Sequence, residues 1–189
     1  RFMTIPLGRR LKSEELLLSL VANVEVDSHL RSSALLTLAD QHFNSKVTVD
    51  RVVAALRNND DTWIRFALYY YLYTSNYLDD NVDVFIEGLQ YIQTDRLVFN
   101  EAPTDTRLGD ESYHLQQGLQ RAKRPAALHK IIIYFKEHPQ EINSTFLSDR
   151  FHLIVENIIA AYKEDPTLYE VASELFVALM STHQDQEAK

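Results

Sequence analysis

Apolar residues recur every three to four positions along most of this chain, a spacing that predicts helices rather than strands. The pattern places helices near 13–24, 28–43, 48–58, 62–77, 81–93, 112–122, 125–138, 146–163 and 166–182. Residues suited to capping free backbone N–H groups stand ahead of several. They are Ser13 before Glu14 and Glu15, Asp27 with Ser28, Asp61 with Thr62, and Asp165 with Pro166. Between 94 and 112 the stretch TDRLVFNEAPTDTRLGDES has no period and holds a proline and a glycine, so it predicts one long irregular loop. Loops of that length are uncommon in compact domains and tend to be functional or mobile.

The helical pattern also repeats itself. VDSHLR, residues 26–31, is answered by DDTWIR, residues 60–65. Setting Arg31 on Arg65 places Leu30 on Ile64, Ser33 on Ala67, Leu38 on Leu72 and Phe43 on Tyr77. The helices that follow match as well, VDRVVAAL at 49–56 beside VDVFIEGL at 82–89. A third copy lies near the C-terminus, where LSDRFHLIVENI, an acidic EDP turn and TLYEVASELFVALM follow in the same order, with Glu170 in place of the arginine. Two helices per unit, recurring every 33 or 34 residues, predict stacked hairpins of a helical solenoid.

The phrase D-x-x-Φ-R-x-x-small-x-x-x-x-L resembles the HEAT family of helical repeats, in particular the short repeats of the bilin-lyase type. Asp27, Leu30, Arg31, Ala34 and Leu38 carry the resemblance in one unit. Asp61, Ile64, Arg65 and Leu72 carry it in the next, where Leu68 stands at the usual small position. It covers about 27–93 well and 145–182 as a degenerate copy, and does not extend over 94–125. The resemblance implies an all-α, right-handed α-solenoid and a ladder between units built from Asp27, Arg31, Asp61 and Arg65. It says little about function, because folds of this kind host many.

Composition supports the helical reading. Only 4 glycines and 5 prolines occur in 189 residues, where average usage would supply roughly a dozen glycines. Hairpin turns and bulges of sheets need glycine, so its scarcity favours helices joined by polar turns. With 46% hydrophobic and 24% charged residues the chain reads as one soluble folded domain, 1–189, of about four helical hairpins. No apolar run approaches the ~20 residues that span a bilayer. The start, RFMTIPLGRRLK, lacks an initiator methionine. A trimmed fragment end and a removed signal or anchor both account for it, which leaves the location open between cytoplasmic and exported or periplasmic.

Charge and residue types then narrow the chemistry. A formal net charge of −8 repels phosphate backbones, and the only basic clusters, RRLK at 9–12 and RAKR at 121–124, are short and free of aromatics. Nucleic acid is therefore a disfavoured partner. The absence of cysteine excludes disulfides, thiol catalysis and cysteine-ligated zinc. The sequence holds no glycine-rich phosphate loop, no HExxH and no nucleophile setting of the GxSxG or SxxK type. Seven histidines are scattered, and the His-Glu dipeptide that supplies iron ligands in HEAT-type deoxyhypusine hydroxylases is missing. His152 and Glu156 share a helix face, which alone makes no metal site. The expectation is a protein that is not an enzyme and has no cofactor or metal.

Two surfaces remain as candidates. In HEAT-like solenoids the second helix of each unit usually lines the concave side. Its polar positions here include Asp50, Arg57, Asp83, Glu87, Gln90 and Glu156, a mostly acidic strip that suits a basic peptide or a basic patch on a partner protein. The alternative is aromatic. In RFALYYYLYTSNY, residues 65–77, Phe66, Tyr70, Tyr73 and Tyr77 share one helix face, roughly opposite Ile64, Ala67, Leu68 and Tyr71. A solenoid helix meets both its hairpin mate and adjacent repeats, so two apolar faces favour core packing over a ligand surface. The function expected is a scaffold, adaptor or regulatory subunit that binds another protein. The alternatives are a bilin-lyase-like or other HEAT-type enzyme and a nucleic-acid-binding HEAT protein.

Overall fold

The structure is a computed structural model that describes residues 7–95, 111–139 and 151–187. The described residues are all-helical, with no strand among them. Among the described residues nine α-helices follow in order: α1 Leu7–Ala22, α2 Ser28–Asp40, α3 Lys46–Leu56, α4 Thr62–Thr74, α5 Val82–Asp95, α6 Glu111–Arg121, α7 Pro125–Glu137, α8 Phe151–Ala161 and α9 Thr167–Glu187. A short 3-10 turn, Asp79–Asn81, precedes α5. The expected loop at 94–112 is helical at both ends, to Asp95 and from Glu111, and its middle lies outside the described residues. Contacts divide the chain into two compact units, residues 1–77 with 103–111 and residues 78–102 with 112–189.

The capping residues explain most helix starts. Asp27 accepts from the His29 and Leu30 amides, and Asp61 from those of Trp63 and Ile64, satisfying N–H groups that no helix can satisfy internally. Ser45 does the same for α3 through Thr48. Ser13 does not start a helix. The RRLK segment is already helical, and the Ser13 hydroxyl bonds back to the Arg9 carbonyl one turn earlier. Helix α2 stops at Asp40 because His42 turns left-handed at φ 54, with Phe43 N–H donating to Leu38 and His42 N–H to Ala39. That is a Schellman ending built without glycine, and the buried Phe43 supplies its apolar contact.

In the first unit α2 packs against both α1 and α4, and α3 against both α1 and α4. Equivalent positions of the two hairpins meet. The His29 and Trp63 rings, third residues after Asp27 and Asp61 counting the aspartate as first, lie 4.7 Å apart. Thr48 donates to Glu14, again thirty-four positions away. The buried Tyr71 hydroxyl donates to the Phe43 carbonyl, pinning α4 to the end of α2. Burial, and secondarily the charge of Glu14, pushes the Tyr71 phenol well above its ordinary range.

The Asp–Arg ladder implied by the family resemblance is absent from the described contacts. The aspartates cap their own helices, and the arginines hold backbone. Arg31 Nε donates to the Val21 carbonyl in the last turn of α1, and Arg65 donates to the Asp60 carbonyl and the Thr62 hydroxyl. Both guanidinium groups are buried. At the C-terminus of α1, Arg31 satisfies an orphan carbonyl and opposes the negative end of the dipole, whereas Arg65 fastens the turn that precedes its own helix.

The second unit is joined differently. Helix α7 packs on α5, α8 and α9, and α8 packs on α9. Asp79 accepts from the Lys123 and Arg124 amides at the start of α7, while Arg124 pairs with Asp80 at 2.8 Å. The chain entering α7 is thus fastened by a segment more than forty residues away. Gly118 of α6 sits so close to the Phe85 ring of α5 that a Cβ there would lie 2.1 Å from it. Only glycine allows that approach.

Candidate protein-interaction surface

The acidic strip expected from the sequence is only partly available. In the first unit, Asp50 of α3 is exposed and pairs with Lys46 at 3.0 Å, and Arg57, at the end of α3, is exposed. In the second unit, Asp83 and Glu87 of α5 are half-buried, with Asp83 bound to Lys130 at 2.6 Å, and Glu156 of α8 is exposed. The side chain of Gln90 lies outside the described residues. Neighbouring lysines therefore neutralise Asp50 and Asp83, and the strip carries less negative field than its carboxylate count implies.

The alternative aromatic face divides. Phe66 is 1% exposed and belongs to the core, so no partner reaches it. Tyr70, Tyr73 and Tyr77 are half-buried, and the Tyr70 and Tyr73 rings meet edge to face at 5.4 Å. The opposite face, Ile64, Ala67, Leu68 and Tyr71, is fully buried. Helix α4 thus buries apolar residues on both sides, as the core-packing reading expects.

Helix α9 behaves otherwise, and the reason needs a one-residue correction to the repeat. Asp165 receives the Thr167 amide at 3.0 Å and hydroxyl at 2.6 Å, so it is the counterpart of Asp61. In that register Leu168, Ala172 and Leu175 take the places of Ile64, Leu68 and Tyr71, and all are buried. Tyr169, rather than Glu170, then stands at the arginine position, and it is exposed. Its ring lies 5.7 Å from that of Tyr162 at the end of α8. Ile159 of α8 and Phe176 and Val177 of α9 are exposed too. This apolar face was missed in the sequence because α9 was aligned one residue late.

Besides the buried Tyr71 phenol, the electrostatic perturbations among the described residues fall on a surface pair and a cap. The Arg51 guanidinium, hydrogen-bonded to Glu15 at 2.7 Å, holds that carboxyl below its usual range. Hydrogen bonds from Thr167 do the same for Asp165. Among the described residues no group of histidines and carboxylates is arranged to hold a metal, and no helix is long and apolar enough to cross a membrane. His152 is exposed on α8 with Glu156 one turn on. No family model, curated protein or solved structure matches this chain.

Proposed function

We propose that the chain is a protein-interaction module, a HEAT-like right-handed solenoid acting as a scaffold, adaptor or regulatory subunit for a basic protein or peptide. The observation that carries this reading is the register of the twin phrases. His29 meets Trp63 and Glu14 meets Thr48, both at an offset of thirty-four, as stacked hairpins require. Stacks of this kind present extended surfaces of repeated helices, and proteins use them chiefly to bind other chains.

Negative charge sets the partner's chemistry. The net charge is −8, and Glu156 stands exposed on α8. The test is titration of a lysine-rich peptide into the whole chain, followed calorimetrically at low and moderate salt. Binding that weakens as salt rises, and weakens further in Asp83→Lys or Glu156→Lys, supports the reading. Salt-sensitive retention of RNA or DNA with no peptide binding would replace it with the nucleic-acid alternative.

A further inference from the structure

We infer that the outward face of the α8–α9 hairpin docks an amphipathic, basic helix of a partner protein. The inference rests on the interaction reading above and names the place and form of that contact. Helices α8 and α9 are neighbours joined by a short turn, and their exposed faces carry large apolar side chains at helical spacing. Ile159 (66% exposed) stands on α8, and Tyr162 (45%), three positions on, opens the turn directly after it. Tyr169 (65%) and Phe176 (43%) stand on α9, seven positions apart, with Val177 (64%) beside them. Residues three, four or seven apart share one side of a helix, so each set forms a stripe. Contact between the Tyr162 and Tyr169 rings joins the two stripes at the turn. Single exposed apolar residues are ordinary, but two adjoining stripes that include three aromatics mark a docking face.

The rim settles which occupant fits. Glu156 on α8, Glu164 in the turn and Glu170 on α9 are exposed, and Asp165 is held ionised by Thr167. Lys163 is the cation among them, while Glu174 is already paired with Lys136. An apolar centre with acidic edges complements a helix bearing leucine-like residues on one side and lysine or arginine along its borders. A second copy of this chain would instead bring acidic rim against acidic rim, each copy carrying −8 overall. An anionic lipid surface would be repelled for the same reason.

The probe is a synthetic leucine–lysine peptide of about 18 residues, long enough to form a helix on binding, with leucines spaced for one helical face. Its fluorescence anisotropy with the whole chain should show saturable binding. A peptide of the same composition with strictly alternating leucines should bind at least ~10-fold more weakly, a difference of 1.4 kcal/mol. Tyr169→Ser with Phe176→Ser should weaken the first peptide at least ~10-fold and leave the helical circular dichroism unchanged, since both side chains are exposed. Affinity untouched by those changes but lowered by Asp83→Lys overturns this inference and leaves the proposed function standing. Loss of all peptide binding at low salt in the unmodified chain overturns both. A concentration-dependent dimer in sedimentation, abolished by Tyr169→Ser with Phe176→Ser, overturns it in favour of self-association.

Discussion

The two halves of this molecule solve the same packing problem by different means. In residues 7–77 several joints follow from repetition or a local signal: Asp27, Ser45 and Asp61 each cap their own helix, and His29 meets its counterpart Trp63. In residues 78–187 the joints are particular to their place. Asp79 fastens the turn ahead of α7, Gly118 is a notch for Phe85, and Asn157 reaches the Gln120 carbonyl at 2.6 Å. The difference teaches that joints recurring at an offset of thirty-four can be read from a motif, whereas those of Asp79, Gly118 and Asn157 are specified by no motif.

The largest expected effect lies at the least motif-like joint. Gly118→Ala should gain roughly 1 kcal/mol from helix propensity taken alone. The clash with the buried Phe85 ring should outweigh that gain and leave a net loss of about 1–3 kcal/mol in urea denaturation. A neutral or stabilised Gly118→Ala would show that α5 and α6 do not approach so closely.

The twin arginines come next. Arg31→Ala should cost about 1–3 kcal/mol, because the Val21 carbonyl at the end of α1 loses its donor and a buried side chain is deleted. Arg65→Ala should cost a similar amount. A loss below ~0.5 kcal/mol for both would mean that the arginines serve a surface rather than the turns.

The caps sharpen the contrast between the halves. Removing an N-cap costs roughly 0.5–2 kcal/mol. Asp27→Ala should fall at the lower end, because its contacts are local, whereas Asp79→Ala should cost more, because two backbone N–H groups ahead of α7 lose an acceptor more than forty residues away. Thermal melts of the two variants decide the order, and the reverse order would contradict the contrast. His42→Gly should raise stability by roughly 0.4–1 kcal/mol, since its φ of 54 is costly for any side chain.

The smallest effect is shared by both halves. Glu15 and Asp165 have carboxyl pKa values depressed in the folded state, so their contributions are present above the unfolded carboxylate range and lost as pH falls through the folded values. Stability should decline below about pH 4. Asp165→Asn keeps an acceptor for the Thr167 amide and removes the ionisation, so the acid-side slope should become shallower.

Much of the fold was legible because helix starts are written locally. Asp27, Asp61 and Asp165 stand where the structure uses them, and the period of α4 identified Ile64, Leu68 and Tyr71 as buried. What was illegible depended on distance or on exceptions to rules. A glycine at the end of α2 would have marked its stop, but a left-handed histidine does not. Asp79 reads as a surface acid until α7 is brought to it. The exposed stripe of α9 was hidden by an alignment built on TLYE and TWIR rather than on the two capping aspartates. The lysines that answer Asp50 and Asp83 were illegible in another way, because a sequence counts carboxylates and not the cations folded against them.

The central claim is that the twin phrases lie against each other as successive turns of one stack. A double-mutant cycle across His29 and Trp63 tests it most directly, with unfolding by urea followed by helical circular dichroism for the parent, His29→Ala, Trp63→Ala and the double variant. Tilted rings with centroids 4.7 Å apart predict that the double change costs less than the sum of the single changes, by about 0.5–1.5 kcal/mol. Additivity within ~0.3 kcal/mol would mean that the two phrases do not touch, and the repeat would then be a likeness of sequence with no stack behind it.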